Sequence, residues 1–295
     1  MISFNSEKNT FRLDTPNSTY SIFINERGYI GHAYYGSKIG EDDVSYLTRN
    51  MEYGFAGNKI FREKGMFLDF FPQELPTDGL GDFRESALAV CDSEGHNAIE
   101  LKYKSHTITC GAKTLPGLPA VFGEDCSVLE LTATDDILGA EVTIIYTVFE
   151  NLDAIVRSVK IKNNSTKPLF IKKALSLALD IDDDNFDMIT LHGSWARERH
   201  IERHPVHMGK QGVYSNRGET SHQEHPFIAL LDHNASYDNG RVYGINFIYS
   251  GNFIADVQKN QFNNIRAVMG INPENFCWKL ESGNEFYTPQ AVLVY

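Results

Sequence analysis

Four histidines, three arginines and a tryptophan crowd into residues 192–207, HGSWARERHIERHPVH. His200, His204 and His207 stand at i, i+4 and i+7, which on a helix would put three zinc-type ligands on one face. Pro205 lies inside that segment and would break the helix. An extended chain alternates its side chains instead, setting Trp195, Arg197 and Arg199 on one face and Glu198 and His200 on the other. That pattern favours a surface over a metal site, so no metal is expected. An indole can stack on the apolar face of a sugar ring, and guanidinium groups can bond hydroxyls or carboxylates. Trp195 could equally fill a core.

Three further segments carry chemistry-bearing residues. FPQELPTDGLGDFRE, residues 71–85, holds Glu74, Asp78, Asp82 and Glu85. Paired carboxylates across a sugar are the machinery of most glycosidases. The favoured reading is structural: such loops bond their own amides, and Arg84 pins the carboxylates. DIDDDNFD, residues 180–187, lacks the calcium-loop residues, with Asn185 where glycine belongs and Leu191 where a bidentate Glu belongs. It reads as a solvated acidic turn after a strand. Ser221 and His222 are adjacent in SNRGETSHQEHPFIAL, and strand neighbours point to opposite faces, which makes them a poor nucleophile and base. No phosphate-binding or dinucleotide-binding glycine loop accompanies these segments, and no cofactor is expected.

The elements that would position these residues are strands. Leu175, Leu177, Leu179 and Ile181 share one face, and Ala174, Ser176, Ala178 and Asp180 the other. Similar alternation runs through AIELKY, VLELTAT, EVTIIYTVFE and RSVKIK, punctuated by turns such as NERG and DNG. Long helical periodicity is nearly absent, so a (β/α) barrel or doubly wound sheet is excluded. The expected class is all-β, a large antiparallel sandwich of facing sheets. Residues 36 to 88 break the alternation and form a long irregular zone.

A net charge of −12 opposes nucleic acid and anionic membrane surfaces as partners. No apolar run reaches the roughly 18 residues of a membrane span, and no leader pattern opens the chain, so a cytoplasmic location is expected. The four cysteines form no CxxC pair, and free thiols are the expected state.

Four long strings go further: FPQELPTDGLGDFRESAL, HGSWARERHIERHPV, SNRGETSHQEHPFIAL and YSGNFIADVQKNQFNNIRAVMGINPENFCWKLESGNEFYTPQAVLVY. In order and spacing they resemble the amino-terminal domain of bacterial α-galactosidases of glycoside hydrolase family 36. The resemblance runs from about FNSEKNTFRL to Tyr295. It implies one domain over 1–295, a galactose-mutarotase-like β-supersandwich with few short helices, preceding a (β/α)8 barrel and a C-terminal β domain. In that family the catalytic aspartates come from the barrel, and TPQAVLVY precedes any such motif. No catalytic residue is therefore expected in this chain. The implied role is an accessory and assembly domain of a retaining, homotetrameric enzyme acting on melibiose- and raffinose-type sugars, inactive alone. Carried over by position, Glu52, Phe55, Lys64 and Trp195 are the implied substrate contacts, with Lys64 placing a point charge where relatives have an arginine fork. The alternatives are a stand-alone carbohydrate-binding module and an aldose epimerase. The epimerase would need a facing His and Glu, which His32, His192 or His222 with Glu74 or Glu219 could supply.

Overall fold

The computed structural model describes residues 1–40, 44–48 and 67–295, and within them twenty strands and one 3₁₀ turn, Ser45–Leu47. The first four strands, β1 (Ile2–Asn5), β2 (Thr10–Asp14), β3 (Ser18–Ile24) and β4 (Ile30–Ser37), form an antiparallel meander. Its turns follow the local chemistry. Asn25 accepts from the amides of Arg27 and Tyr29 at 3.0 and 2.9 Å, and Gly28 takes the left-handed φ of 80° that closes the NERG turn.

A six-stranded sheet runs β13 (Gly209–Tyr214), β16 (Phe253–Lys259), β17 (Ile265–Ile271), β10 (Leu169–Ile181) and β18 (Trp278–Leu280), with β5 (Leu88–Cys91) also paired to β10. The third sheet has ten strands. It runs β12 (Arg197–Pro205), β11 (Phe186–Ser194), β14 (Glu224–Asp232), β15 (Val242–Ile248), β20 (Gln290–Val294) and β9 (Ala154–Asn163). It continues through β8 (Ala140–Phe149), β7 (Cys126–Asp135) and β6 (Lys102–Cys110), and β19 (Glu285–Tyr287) also pairs with β9.

One apolar core draws on all three sheets, from Phe11 and Leu13 through Leu175 and Val268 to Ile144, Val159 and Ile245. This bears out the all-β, antiparallel expectation. Strand β10 differs in one respect: Ala174 to Asp180 are buried on both faces. Arg157 of β9 donates to the Ala178 carbonyl of β10 at 2.6 Å.

Among the described residues no strand lies between Ser37 and Leu88. The described second half of that stretch is not a solvated loop, because Phe67, Leu68, Phe70, Phe71, Glu74 and Arg84 are buried. At the opposite extreme, β12 is the outer strand of the ten-stranded sheet and exposed along nearly its whole length.

Candidate functional site

The β11–β12 hairpin presents Trp195 at its tip. Ser194 pairs with Arg197, which leaves Trp195 and Ala196 as a two-residue turn, with Ala196 at φ 61°. The Glu198 carboxylate accepts from the Ala196 amide at 2.8 Å and braces the turn. Gly193 lies at a register shift, where a Cβ would stand 2.2 Å from the Arg197 carbonyl oxygen. Only glycine lets the two backbones approach this closely. Trp195 is 83% exposed and is no part of the core.

Simple alternation fails at Arg199, whose φ is 60°. A left-handed conformation costs a non-glycine residue roughly 1 kcal/mol and redirects its side chain. Arg199 thereby lines a surface cleft of about 390 Å³ with Glu198, Glu219, Ser221, His222 and His225. β11 pairs with both β12 and β14, and so draws the hairpin and the 215–225 segment together. The Ser221 hydroxyl is buried there with no hydrogen-bond partner. Burial, reinforced by the Arg199 guanidinium, pushes the His225 pKa below its ordinary value, so this imidazole is neutral near pH 7. Behind it, His192 Nδ1 lies 3.0 Å from Glu224 Oε2, and its Nε2 lies 2.7 Å from the Thr190 hydroxyl. A neutral imidazole, a guanidinium and two carboxylates make a hydrogen-bonding surface suited to a polyhydroxy ligand. They do not make a nucleophile, since Ser221 contacts no base.

Two carboxylate groups from the loop of residues 71–85 are closed into the interior. Glu74 accepts from the Tyr20 hydroxyl at 2.8 and 2.9 Å, from Tyr146, and from His32 Nδ1 at 2.9 Å, with Arg157 at 4.0 Å. Burial raises its pKa, but His32 and Arg157 outweigh it and hold the carboxyl below its usual range. The facing His and Glu that an epimerase needs therefore exist as His32 and Glu74. Glu74 is fully buried and its oxygens are occupied, so no sugar can reach them. Asp82 and Asp180 are bridged by Arg84 and Arg266, at 2.9 Å from Arg84 to Asp82 and 2.6 Å from Arg266 to Asp180. Arg84 pins carboxylates as its sequence context indicated.

Residues 182–185 form the expected acidic turn after β10, exposed or half-buried, while the two ends of the 180–187 segment belong to β10 and β11. Asp180 and Asp187 are buried, the latter held by Arg203 at 2.7 Å and His233 at 2.5 Å. Among the described residues no three His, Cys, Asp or Glu side chains gather as metal ligands. Of the four implied substrate contacts, Trp195 is placed at the hairpin tip. Glu52, Phe55 and Lys64 lie outside the described residues. The cleft at Ser221 and His225 was not read from sequence; its one signal was the density of polar residues in two segments that only strand pairing brings together.

The model of the glycosyl hydrolase family 36 N-terminal domain matches residues 28–281. The chain belongs to this family. It is 37% identical to alpha-galactosidase AgaA of Geobacillus stearothermophilus over all of its own length and 41% of that protein's. The crystal structure of AgaB from the same organism superposes with a TM-score of 0.95 at 38% identity, over 100% of this chain and 41% of that one. An AgaA variant solved in complex with raffinose gives 0.94 at 38% identity, over 97% of this chain and 40% of that one. The family 36 domain thus spans about two fifths of the relatives it matches. No described helix is long and apolar enough to cross a membrane.

Proposed function

We propose that this chain is the accessory and assembly domain of a retaining α-galactosidase that removes terminal α-galactosyl residues from melibiose- and raffinose-type sugars. In this reading residues 1–295 are one supersandwich domain that walls the sugar pocket, and the chemistry belongs to a barrel partner. The enzyme works in the cytoplasm as a homotetramer, with a neighbouring subunit completing the pocket. Trp195, Glu52, Phe55 and Lys64 contact substrate. The observation that carries the reading is the β11–β12 hairpin, which holds an 83% exposed indole at a braced, strained tip beside a polar cleft. At this tip the indole face is open to stack on the apolar face of a sugar ring, with the polar groups of the cleft beside it to bond its hydroxyls. The relatives' names and the raffinose and stachyose complexes of AgaA variants support galactosides as the ligand class.

The test is turnover of an aryl α-galactoside. The purified 295-residue chain is expected to show none, and sustained hydrolysis by it would overturn the assignment of chemistry to a partner domain. In an active full-length protein, Trp195→Ala is expected to raise KM for raffinose about tenfold, the loss of one stacking contact of roughly 1.4 kcal/mol. An unchanged KM removes Trp195 from the pocket.

A further inference from the structure

A second cleft, of about 610 Å³, opens between the loop around Gly117, the turn at Gly251 and strands β18 and β19. Its volume is that of a small-molecule site. One wall is aromatic. Trp278 is half exposed, its ring centroid is 5.4 Å from that of Phe286, and Phe286 is 6.0 Å from Phe276. Tyr249 adds a further ring, backed by the buried Phe247 at 5.6 Å. The rim is polar: Asn252, Asn275, Glu274 and Glu285 line it, and no Lys, Arg or His stands among the described lining residues.

The frame is built rather than loose. Buried Asn272 donates to the Ser215 carbonyl at 3.2 Å and to the Asn216 side chain at 2.8 Å, and accepts from the Glu274 amide at 2.9 Å. Asn275 holds a left-handed φ of 60°, a conformation that costs energy and that this frame maintains. Tyr287 donates to Glu285 at 2.9 Å and fixes the second carboxylate.

We propose that this cleft binds a neutral oligosaccharide, with one pyranose ring stacked on Trp278 and its hydroxyls bonded by Glu274, Asn275 and Asn252. The chemistry selects the class. Of the two rim carboxylates, Glu285 has Lys160 as a partner at 3.7 Å and Glu274 accepts from Asn216, and a rim that supplies carboxylates and amides disfavours phosphates and other anions. A flat apolar partner would desolvate the carboxylates and amides without pairing them. A pyranose offers an apolar CH face to the indole and hydroxyls to the rim in the same molecule. The proposal goes beyond the galactosidase reading and does not depend on it, since binding here needs no catalytic group.

The chain has two tryptophans, so Trp195→Phe leaves Trp278 as its sole indole. Titrating that variant with raffinose, with sorbitol as the acyclic control, is expected to change the emission saturably with a Kd of about 1 mM. In calorimetry, Trp278→Ala is expected to weaken raffinose binding about tenfold with an unchanged melting temperature. An emission that ignores raffinose overturns the proposal. So does raffinose affinity that survives Trp278→Ala and falls with Trp195→Ala, which places the sugar at the hairpin. The galactosidase reading is judged separately, by turnover.

Discussion

Arg266 and Asp180 show how single residues act in this interior. Arg266 is fully buried, and its Nη2 lies 2.7 Å and its Nε 2.6 Å from the two Asp180 oxygens, a bidentate pair. Burial alone would raise the Asp180 pKa, but the Arg266 and Arg84 charges bring it down to about 2 from the ordinary 3.8. A carboxyl whose folded pKa is depressed stabilises the fold above its ordinary range. That stabilisation, roughly 2 kcal/mol, is lost as pH falls from about 4 to about 2. Asp180→Asn is expected to cost about 3 kcal/mol near neutral pH in urea unfolding, because it leaves buried Arg266 with only Asp82 for a charge partner. The variant should also lose less stability than the parent across that acid range. Equal acid limbs would show that Asp180 is not the titrating group.

At the scale of elements, the β11–β12 hairpin depends on one missing methyl. A Cβ on Gly193 would meet backbone of the facing strand at 2.2 and 2.8 Å, atoms that no side-chain rotation can clear. Gly193→Ala is expected to destabilise the chain by about 2 kcal/mol, the usual range for an overpacked site. Because the hairpin tip must shift, Trp195 emission should shift as well. A variant with parental stability and emission would show that the close approach is not needed. That the stretch is extended rather than helical was legible in Pro205, which argued against a helix; the turn at Trp195 and Ala196 was not. Nor was the direction of Arg199, because alternation assumes extended backbone and Arg199 is left-handed.

For the whole molecule, one core joins the three sheets, and the buried Glu74 and Asp180 networks tie loop, sheet and sheet together. The chain is therefore expected to melt as one cooperative unit, with calorimetric and van't Hoff enthalpies in agreement. Two resolved transitions would divide it into separate domains. The same closure explains why Glu74 and Asp82 resemble a glycosidase pair in sequence yet are enclosed: residue type and spacing are the same for a catalytic and a structural carboxylate, and only burial separates them.

By itself the sequence determined the strand class, the pinning role of Arg84 and, through four ordered motifs, the family. These are local or cumulative signals, carried by period-two alternation, turn residues and long matching strings. Tertiary structure alone decided that β10 is buried on both faces, that Asp180 is an interior ion-pair residue, that Trp195 faces solvent and that Ser221 and His225 share a cleft with Arg199. Each of these depends on which strand lies beside which, and pairings between residues far apart in the chain leave no trace in the local pattern that a strand's own residues must satisfy.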